Sequence, residues 1–279
     1  MTILISGATG AVGRNLVSQL VTAGHSVRVL TRDPTKPIAK GAEVVTGDFV
    51  AGNLPAETFK GVRKVFVFPA QGGVDAFVQQ AKDSGVEHFV VLSSLAAAME
   101  HPRDQGSVSA MHHLKIERSV QSTGVPATIL RPGTFALNLL AWAQPLKFGN
   151  TVSGPYAASA QAPIHEADVA AVAAVALTEP GHEGNIYAMT GPQALTRVQQ
   201  LAAIGDAIGR KLQFVEITPE EFRAAMSKFM PELIIKMLLD YWSDTVSKPD
   251  AVRPTVEEVT GRRARSLAQW AGDHVADFR

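Results

Sequence analysis

Short apolar runs alternate with amphipathic helical stretches through the first half of the chain. Several of these runs are continuously apolar, which is typical of parallel strands covered by helices on both faces of a sheet. The pattern predicts six buried strands, at Ile3–Ser6, Ser26–Thr31, Glu43–Val45, Val65–Phe68, His88–Leu92 and Ala127–Leu130.

Three stretches with helical spacing lie between the strands, and a glycine follows each of them. Gly24, Gly85 and Gly124 occupy these positions, where glycine ends a helix because it adopts a left-handed backbone at no steric cost. The repeated order of helix, glycine, loop and strand predicts a doubly wound α/β sheet. The predicted helices are Val12–Thr22, Val74–Ser84 and Met111–Ser122.

The regular alternation ends after Pro132, where prolines and glycines interrupt the sequence. A helix at Glu166–Leu177 and a strand at Asn185–Met189 follow, and the remainder is mostly helical. We expect a smaller helical lobe over the carboxyl ends of the strands, where open α/β sheets bind ligands. The predicted sheet domain is 1–133, to which 164–190 return, and the predicted lobe comprises 134–163 and 191–279.

Composition and charge narrow the class of protein. The 279 residues include 26 Lys and Arg against 26 Asp and Glu, so the formal charge is zero. A nucleic-acid partner is not expected, because such proteins carry a basic surplus. Apolar residues make up 46% of the chain, enough for a large core. Cysteine is absent, which excludes disulfides, thiolate metal sites and cysteine nucleophiles.

No segment of the sequence predicts a membrane or a metal partner. The longest apolar run, Val169–Leu177, is far shorter than the roughly 20 residues that span a bilayer. The amino terminus lacks the pattern of a signal peptide, so we expect a cytoplasmic protein. His165 and Glu166 have no third ligand at a recognisable spacing, so no metal site is expected.

A glycine-rich loop follows the first strand and opens the first helix. Gly7 allows a tight turn, Gly10 allows backbone to approach a diphosphate, and Gly13 allows the helix to pack closely on the sheet. Free N–H groups at the start of the helix then face the anion. An ordinary glycine-rich turn is the alternative. The residues predicted to bind a dinucleotide here are Gly7, Thr9, Gly10, Ala11, Val12 and Gly13.

Two further strand ends predict how the adenosine half of the dinucleotide is held. Arg32 follows the second strand, where a guanidinium binds the 2′-phosphate of NADP and an acidic residue would instead bind the ribose of NAD. NADPH is therefore favoured over NADH, although Arg32 could also be a solvated surface residue. Asp48 and Phe49 follow the third strand and could contact adenine, or Asp48 could cap a turn.

Together these motifs resemble the NmrA-like family of atypical short-chain dehydrogenases and reductases, over nearly the whole chain. The resemblance implies an NAD(P)H-dependent reductase, since the family includes type 2 quinone oxidoreductases, triphenylmethane reductase and polyketide ketoreductases. It also includes non-catalytic redox sensors. The motifs are Gly7 to Gly13, Thr31 to Pro34, Gly47-Asp48-Phe49, Ser122 to Gly133 with Phe135 and Asn138, and Ile164 to Ala170.

The proton-donating pair of common short-chain dehydrogenases is missing from this sequence. That pair is a tyrosine with a lysine four residues later, on one face of a helix. The three tyrosines are Tyr156, Tyr187 and Tyr241, and the residues four positions beyond them are Ala160, Gly191 and Thr245.

His113 is the best candidate for a polar side chain beside the nicotinamide. It precedes Glu117 by four residues, a position where quinone oxidoreductases of the family also have a histidine. An ordinary histidine pKa near 6.5 suits a proton donor or a hydrogen bond to a substrate oxygen. The alternative is that His112 and His113 are two surface histidines of one helix.

The remaining site residues are predicted at strand ends and in the smaller lobe. The cofactor groove would be lined by Phe68, Pro69, Ser93, Pro132, Gly133 and Phe135, and the substrate by Ser94, Asn138, Trp142, Phe229 and Trp242. Each large apolar residue could instead belong to the core. The stretch from Glu232 to Trp242 is apolar nearly all round, so it must pack against a pocket or a second subunit, as in a homodimer.

The sequence thus predicts an NADPH-dependent reductase that transfers hydride to a flat aromatic quinone or a polyketide-type ketone. A quinone needs less help from an acid than a ketone, because its charge delocalises into the ring. A non-catalytic sensor of NADP(H) is the alternative that the missing tyrosine leaves open. An epimerase acting on sugar nucleotides is disfavoured, because such enzymes depend on the tyrosine and lysine pair.

Overall fold

A computed structural model describes residues 1–52 and 54–279 of the chain. Its centre is a parallel sheet of seven strands in the order β3-β2-β1-β4-β5-β6-β9, which confirms the predicted doubly wound α/β fold. The seven strands are β1 Thr2–Ser6, β2 Ser26–Thr31, β3 Glu43–Thr46, β4 Val62–Val67, β5 His88–Leu92, β6 Ala127–Pro132 and β9 Ile186–Met189.

Ten α-helices and two small strand pairs complete the described part of the chain. The strands β7 Thr151–Gly154 and β11 Gln213–Glu216 pair in parallel, and β8 Ala160–Gln161 pairs with β10 Leu195–Thr196 in antiparallel. The helices are α1 Ala11–Thr22, α2 Asp75–Asp83, α3 Val108–Gln121, α4 Ala143–Phe148, α5 Glu166–Thr178, α6 Arg197–Ile208, α7 Pro219–Met226, α8 Glu232–Ser247, α9 Thr255–Thr260 and α10 Leu267–Asp273.

Two predicted boundaries differ from the structure for local reasons. Helix α3 begins three residues earlier than expected, because the Ser107 hydroxyl accepts a hydrogen bond from the Ala110 N–H and caps the helix there. Strand β4 begins at the buried Val62 and ends at Val67, so Phe68 lies just beyond it. Both differences concern the ends of elements and leave the order of the strands unchanged.

Alternating side chains of the strands supply the two faces of the core. Ile3 and Ile5 of β1 pack with α1 and α5 on one face, and Leu4 packs with α2 and α3 on the other, as expected from the alternation of side chains along a strand. The strand β9 extends the sheet beside β6, and α5 packs on α1. Both faces of the sheet are therefore covered by helices. The ends of its strands are where a ligand is expected to reach it.

A third apolar cluster lies outside the sheet, in the smaller lobe. It joins the segment after β6 to α6, α10 and the carboxyl-terminal residues, with Trp142, Trp270 and Phe278 among its buried side chains. Helix α8 buries Ile235 and Leu239 but leaves Leu233 61% exposed. Among the described residues, no helix combines the length and the apolar character needed to cross a membrane.

The buried His88 of β5 makes the stability of the sheet depend on pH. The Thr128 hydroxyl donates to the carbonyl of His182 at 2.6 Å, so it accepts from Nε2 of His88 at 2.9 Å. Nδ1 has no partner among the described residues. Burial is the main cause that lowers the pKa of His88 to about 4, and Lys64 adds to the shift.

We expect the protein to lose stability as the pH falls from 6.5 towards 4. In this range His88 binds a proton in the unfolded chain but stays neutral in the folded protein. Urea unfolding at pH 7.5 and pH 5 should show a loss on the order of 1 kcal/mol from this group. His88→Gln should reduce that loss, whereas His25→Gln, at an exposed position, should leave it unchanged. An identical pH dependence in His88→Gln would contradict this assignment.

Candidate functional site

The loop between β1 and α1 has the geometry of an anion-binding turn. Gly7 has a φ of +65°, which favours glycine, and a Cβ on Gly13 would lie 2.7 Å from the Cα of Ala8. Gly13 therefore allows the helix to approach the loop closely. No side chain caps α1 at Gly10, and within the described part of the chain the N–H groups of Ala11, Val12 and Gly13 have no acceptor. These three donors lie at the positive end of the helix dipole.

Phe68 packs directly against the glycine loop. A Cβ on Gly7 would lie 2.6 Å from Cβ of Phe68, and the phenylalanine is 37% exposed. The Ser6 hydroxyl fixes this arrangement, since it donates to the Phe66 carbonyl at 2.9 Å and accepts from the Phe68 N–H at 2.8 Å. The ends of β1 and β4 are thereby held together, and Phe68 forms one wall of the groove.

An open cleft of about 580 Å³ lies between the ends of β2 and β3. Arg32 lines it with a side chain that is 78% exposed, and its Nη1 lies 4.0 Å from Oδ2 of Asp48. The other oxygen of Asp48 accepts from the Val50 N–H at 2.9 Å, as in a turn aspartate. Phe49 packs inward, with its ring centroid 5.2 Å from that of Phe77. The cleft thus presents both charges, and the ring of Phe49 contacts the core.

A buried carboxylate that the sequence reasoning missed joins the ends of β5 and β6. Glu117 is 3% exposed and accepts from Arg131 at 2.9 Å and 2.6 Å, one bond to each oxygen. The Ser93 hydroxyl donates to the same carboxylate at 2.5 Å. The hydrogen bonds that Arg131 donates to Glu117 are the main cause that raises the pKa of Arg131. Ser93, predicted to line the cofactor groove, therefore has its proton committed to Glu117.

His113 lies on the face of α3 that looks towards the end of β5. Ser109, His113 and Glu117 are spaced four residues apart and so share one face of the helix. Ser109 lies 3.5 Å from the hydroxyl of Ser94, and Glu117 contacts Ser93. His113 is between these two contacts, beside the end of β5, where Ser93 is predicted to line the cofactor groove.

The environment of His113 changes the proton chemistry expected from its sequence position. Burial, with a smaller contribution from His112, lowers the pKa of His113 to about 4, and Glu117 opposes that shift. Nδ1 is buried and has no hydrogen-bond partner among residues 1–52 and 54–279. The ordinary pKa near 6.5 is therefore wrong for this position, and His113 is neutral at pH 7. It offers a hydrogen bond where an imidazolium would offer a proton.

The neighbouring side chains have structural partners. Nε2 of His112 lies 3.1 Å from the carbonyl oxygen of Pro69 and connects α3 to the end of β4. The Ser94 hydroxyl accepts from the Ala96 N–H and caps a short 3-10 helix. His165 caps α5, where its Nδ1 accepts from the Ala167 N–H at 3.1 Å. No cluster of three metal-ligating side chains occurs among the described residues.

The segment after β6 connects the sheet to the smaller lobe. The Gly133 N–H, next after Pro132 at the strand end, donates to the Met189 carbonyl at 2.9 Å, and Phe135 forms a bridge with Ile164. The Thr134 hydroxyl donates to the phenol of Tyr241 at 2.7 Å. Helix α8 is therefore tied to the end of β6.

Tyr241 is committed to this tie between the two parts of the molecule. Its phenol donates to Asp250, and the guanidinium carbon of Arg103 lies 4.9 Å from the centre of its ring. Burial, and then Asp250, raise its pKa well above the ordinary value of 10. The phenol proton points at a carboxylate, so Tyr241 serves as a link between α8 and the segment after β6.

Two of the five predicted substrate residues are brought together, since the rings of Trp142 and Trp242 both lie against the guanidinium of Arg197. Trp142 is 8% exposed and packs in the core of the lobe, with its ring centroid 6.1 Å from that of Phe214. Asn138 is exposed, and Phe229 is 80% exposed after α7. Trp242 lies on α8, with its ring centroid 5.3 Å from that of Phe222 on α7. Ser94 lies just beyond the end of β5.

Comparisons with known proteins give the chain a family and a set of relatives. The model of the NmrA-like family matches residues 1–271. The (4-alkanoyl-5-oxo-2,5-dihydrofuran-3-yl)methyl phosphate reductase of Streptomyces griseus is 36% identical, over 99% of each chain. The NAD(P)H azoreductase of Xenophilus azovorans is 35% identical, also over 99% of each chain.

A solved structure has the same fold. It is the NADPH-dependent quinone oxidoreductase of Escherichia coli in complex with NADPH, with a TM-score of 0.80 and 24% identity. The match covers 97% of this chain and 99% of that one.

Removal of the charge on Glu117 should destabilise the site more than loss of a surface ion pair. Glu117→Gln leaves the half-buried Arg131 without its counter-charge, and we expect a loss of about 3 kcal/mol in the free energy of unfolding. Glu87→Gln is the matched control, because Glu87 pairs with Arg63 at 2.6 Å with both side chains exposed. That variant should lose less than about 1 kcal/mol. Equal losses in urea unfolding would refute the difference.

Proposed function

This chain belongs to the NmrA-like family, and we propose that it is an NADPH-dependent reductase that transfers hydride to a flat aromatic quinone or polyketide-type ketone. The broader class is an NAD(P)H-dependent oxidoreductase, in line with relatives named as reductases at 35% and 36% identity over 99% of the chain. The observation that carries the proposal is the glycine loop, where three N–H groups at the start of α1 have no acceptor among the described residues.

The residues of the loop fit the diphosphate of a dinucleotide. The N–H groups of Ala11, Val12 and Gly13 supply donors to an anion at the amino end of α1. Gly10 has only the carbonyl of Gly7 near a would-be Cβ, at 3.3 Å, so its outer side is open to a phosphate. When bound, NADPH supplies a hydride from C4 of its nicotinamide. Phe68, packed on Gly7, would then form the wall of the groove along which the cofactor lies.

Selectivity for NADPH is assigned to Arg32. Its guanidinium is exposed at the end of β2 and lines the cleft beside Asp48. A 2′-phosphate there would form a charge-assisted bond with Arg32. One oxygen of Asp48 is already bound to the turn, so its other oxygen, 4.0 Å from Arg32, is left for the adenine amino group or for Arg32.

The acceptor chemistry follows from the side chains beside the strand ends. Reduction of a quinone takes one hydride and one proton and yields a hydroquinone. His113 is neutral at pH 7, so it binds and orients a substrate oxygen with a hydrogen bond, and the proton is taken from water. Such an arrangement suits a quinone, in which the ring delocalises the charge. A ketone would rely more on a substrate phenol next to its carbonyl.

Named substrates of the relatives are consistent with conjugated, electron-poor acceptors. One relative is named for an azo compound and another for an alkanoyl dihydrofuranone phosphate. For this chain, Phe68 at the groove and His113 on α3 are the residues to which we assign contact with such an acceptor. Tyr241 is excluded from a role as the acid, because its proton is donated to Asp250.

Stopped-flow oxidation of NADPH tests the reaction and the choice of cofactor together. With menadione or an anthraquinone-type ketone, we expect NADPH absorbance to decay, and Arg32→Ser should raise the KM for NADPH by about tenfold or more with little effect on NADH. Arg63→Ser is the control. Arg63 lies at the amino end of β4, whereas Arg32 follows the carboxyl end of β2, and the exposed side chain of Arg63 pairs with Glu87. Absence of turnover with both acceptors, with cofactor bound, would refute the reaction.

The role of His113 predicts a specific pH profile. Because its pKa is lowered to about 4, kcat for menadione should not change through pH 6.5, where an ordinary histidine titrates. His113→Phe should lower kcat about tenfold, since the substrate oxygen loses its partner. His25→Phe, at an exposed position remote from α3, is the control. An inflection of wild-type kcat near pH 6.5 that disappears in His113→Phe would show that the histidine acts as a charged acid.

A further inference from the structure

Arg197, the first residue of α6, is buried in the smaller lobe without a counter-charge. It is 4% exposed, and Nε and Nη1 have no hydrogen-bond partner among residues 1–52 and 54–279. It also forms no ion pair with a described residue. Burial lowers its pKa to about 10, so it remains charged at pH 7. A buried, unpaired charge is costly, and proteins usually compensate it with an anion.

Three aromatic rings surround the guanidinium. Its carbon lies 4.0 Å from the centre of Trp242, 5.3 Å from Phe214 and 5.8 Å from Trp142. Contacts with aromatic faces offset part of the cost of burial, by up to about 2 kcal/mol each when desolvated. They do not use the N–H donors, which lie in the plane of the guanidinium and point away from a stacked ring.

Gly154 shows that the position of the guanidinium is fixed by close packing. A Cβ on Gly154 would lie 2.7 Å from Nη2 of Arg197. Its φ is not in the left-handed region, so the backbone conformation does not require glycine there. The glycine instead makes room for the charged group. The fork of N–H donors is thus held in one orientation, which is the preorganised form that binds an oxyanion.

Helix α7 covers this side of the lobe and is only lightly attached. None of its residues, all of which the structure describes, is buried. The ring of Phe222 on α7 lies 5.3 Å from that of Trp242, whose other neighbour is Arg197. A helix with so little buried apolar surface moves at a low free-energy cost. Displacement of α7 would therefore uncover the edge of the aromatic group and its cation.

We propose that Arg197 binds an oxyanion, a phosphate or carboxylate group carried by the substrate, between Trp142 and Trp242 beneath α7. The proposal rests on the proposed function, since it names a chemical class for the substrate of that reductase. Trp242 follows Tyr241, whose phenol contacts Thr134 two residues beyond β6. The ring that lies nearest to Arg197 therefore belongs to the helix that is tied to the end of β6.

Calorimetric titration of the full chain with phenyl phosphate tests the site without any need for turnover. We expect binding to wild type, at least tenfold weaker binding to Arg197→Met, and intermediate binding to Arg197→Lys, which keeps the charge but loses the fork. Arg263→Met is the matched control, because that side chain is 92% exposed. Inorganic phosphate, added separately, shows whether the aromatic part of the ligand contributes.

The outcomes separate this proposal from the reductase function. Equal binding of phenyl phosphate to wild type and Arg197→Met, or no binding to wild type, overturns the site even if NADPH is oxidised normally. Inorganic phosphate that binds as tightly as phenyl phosphate overturns its assignment to a substrate. If Arg197→Met does not fold, Arg197→Lys carries the comparison, and wild-type affinity in that variant counts against recognition by the fork. If the quinone assay fails, the titration still tests whether phenyl phosphate binds at Arg197, because it requires no turnover.

Discussion

The buried carboxylate of Glu117 is the interaction on which the arrangement of the site depends. It holds the end of β5 through Ser93 and the end of β6 through Arg131, and it does so from the same face of α3 that presents His113. Three elements that are distant in sequence are thus fixed by one residue with 3% exposure. A charge pair of this kind is weak evidence for net stability but defines geometry strictly, because its oxygens accept only at fixed angles.

The order of the sheet could be predicted because the signals for it are local. Continuous apolar runs, the glycines after the helices and the loop from Gly7 to Gly13 all report backbone conformation within a few residues. Arg32 and Asp48 were placed correctly at strand ends for the same reason. Distant pairing was invisible: nothing in Leu130-Arg131-Pro132 shows that its arginine reaches Glu117 on α3, although an arginine at the end of a buried strand needs a partner.

The smaller lobe is the part of the molecule about which local patterns say least, and the reason is physical. Its residues were assigned to a substrate surface because they are aromatic, yet burial depends on packing that no local pattern specifies. Trp142 joined the core, Phe229 remained exposed, and Trp242 joined the group around Arg197. The pKa of His113 was also out of reach, since it is set by burial and by the neighbouring His112 and Glu117. A sequence gives the type of a titratable group but not its dielectric surroundings.

The tie between Thr134, Tyr241 and Asp250 has a consequence for how the two parts of the molecule separate. Its groups are hydroxyls and a carboxylate, with Arg103 over the ring. If these contacts break, water solvates the exposed groups well, whereas an apolar contact would expose a surface that promotes aggregation. The polar contacts of this tie can therefore break and re-form without exposing apolar surface of their own.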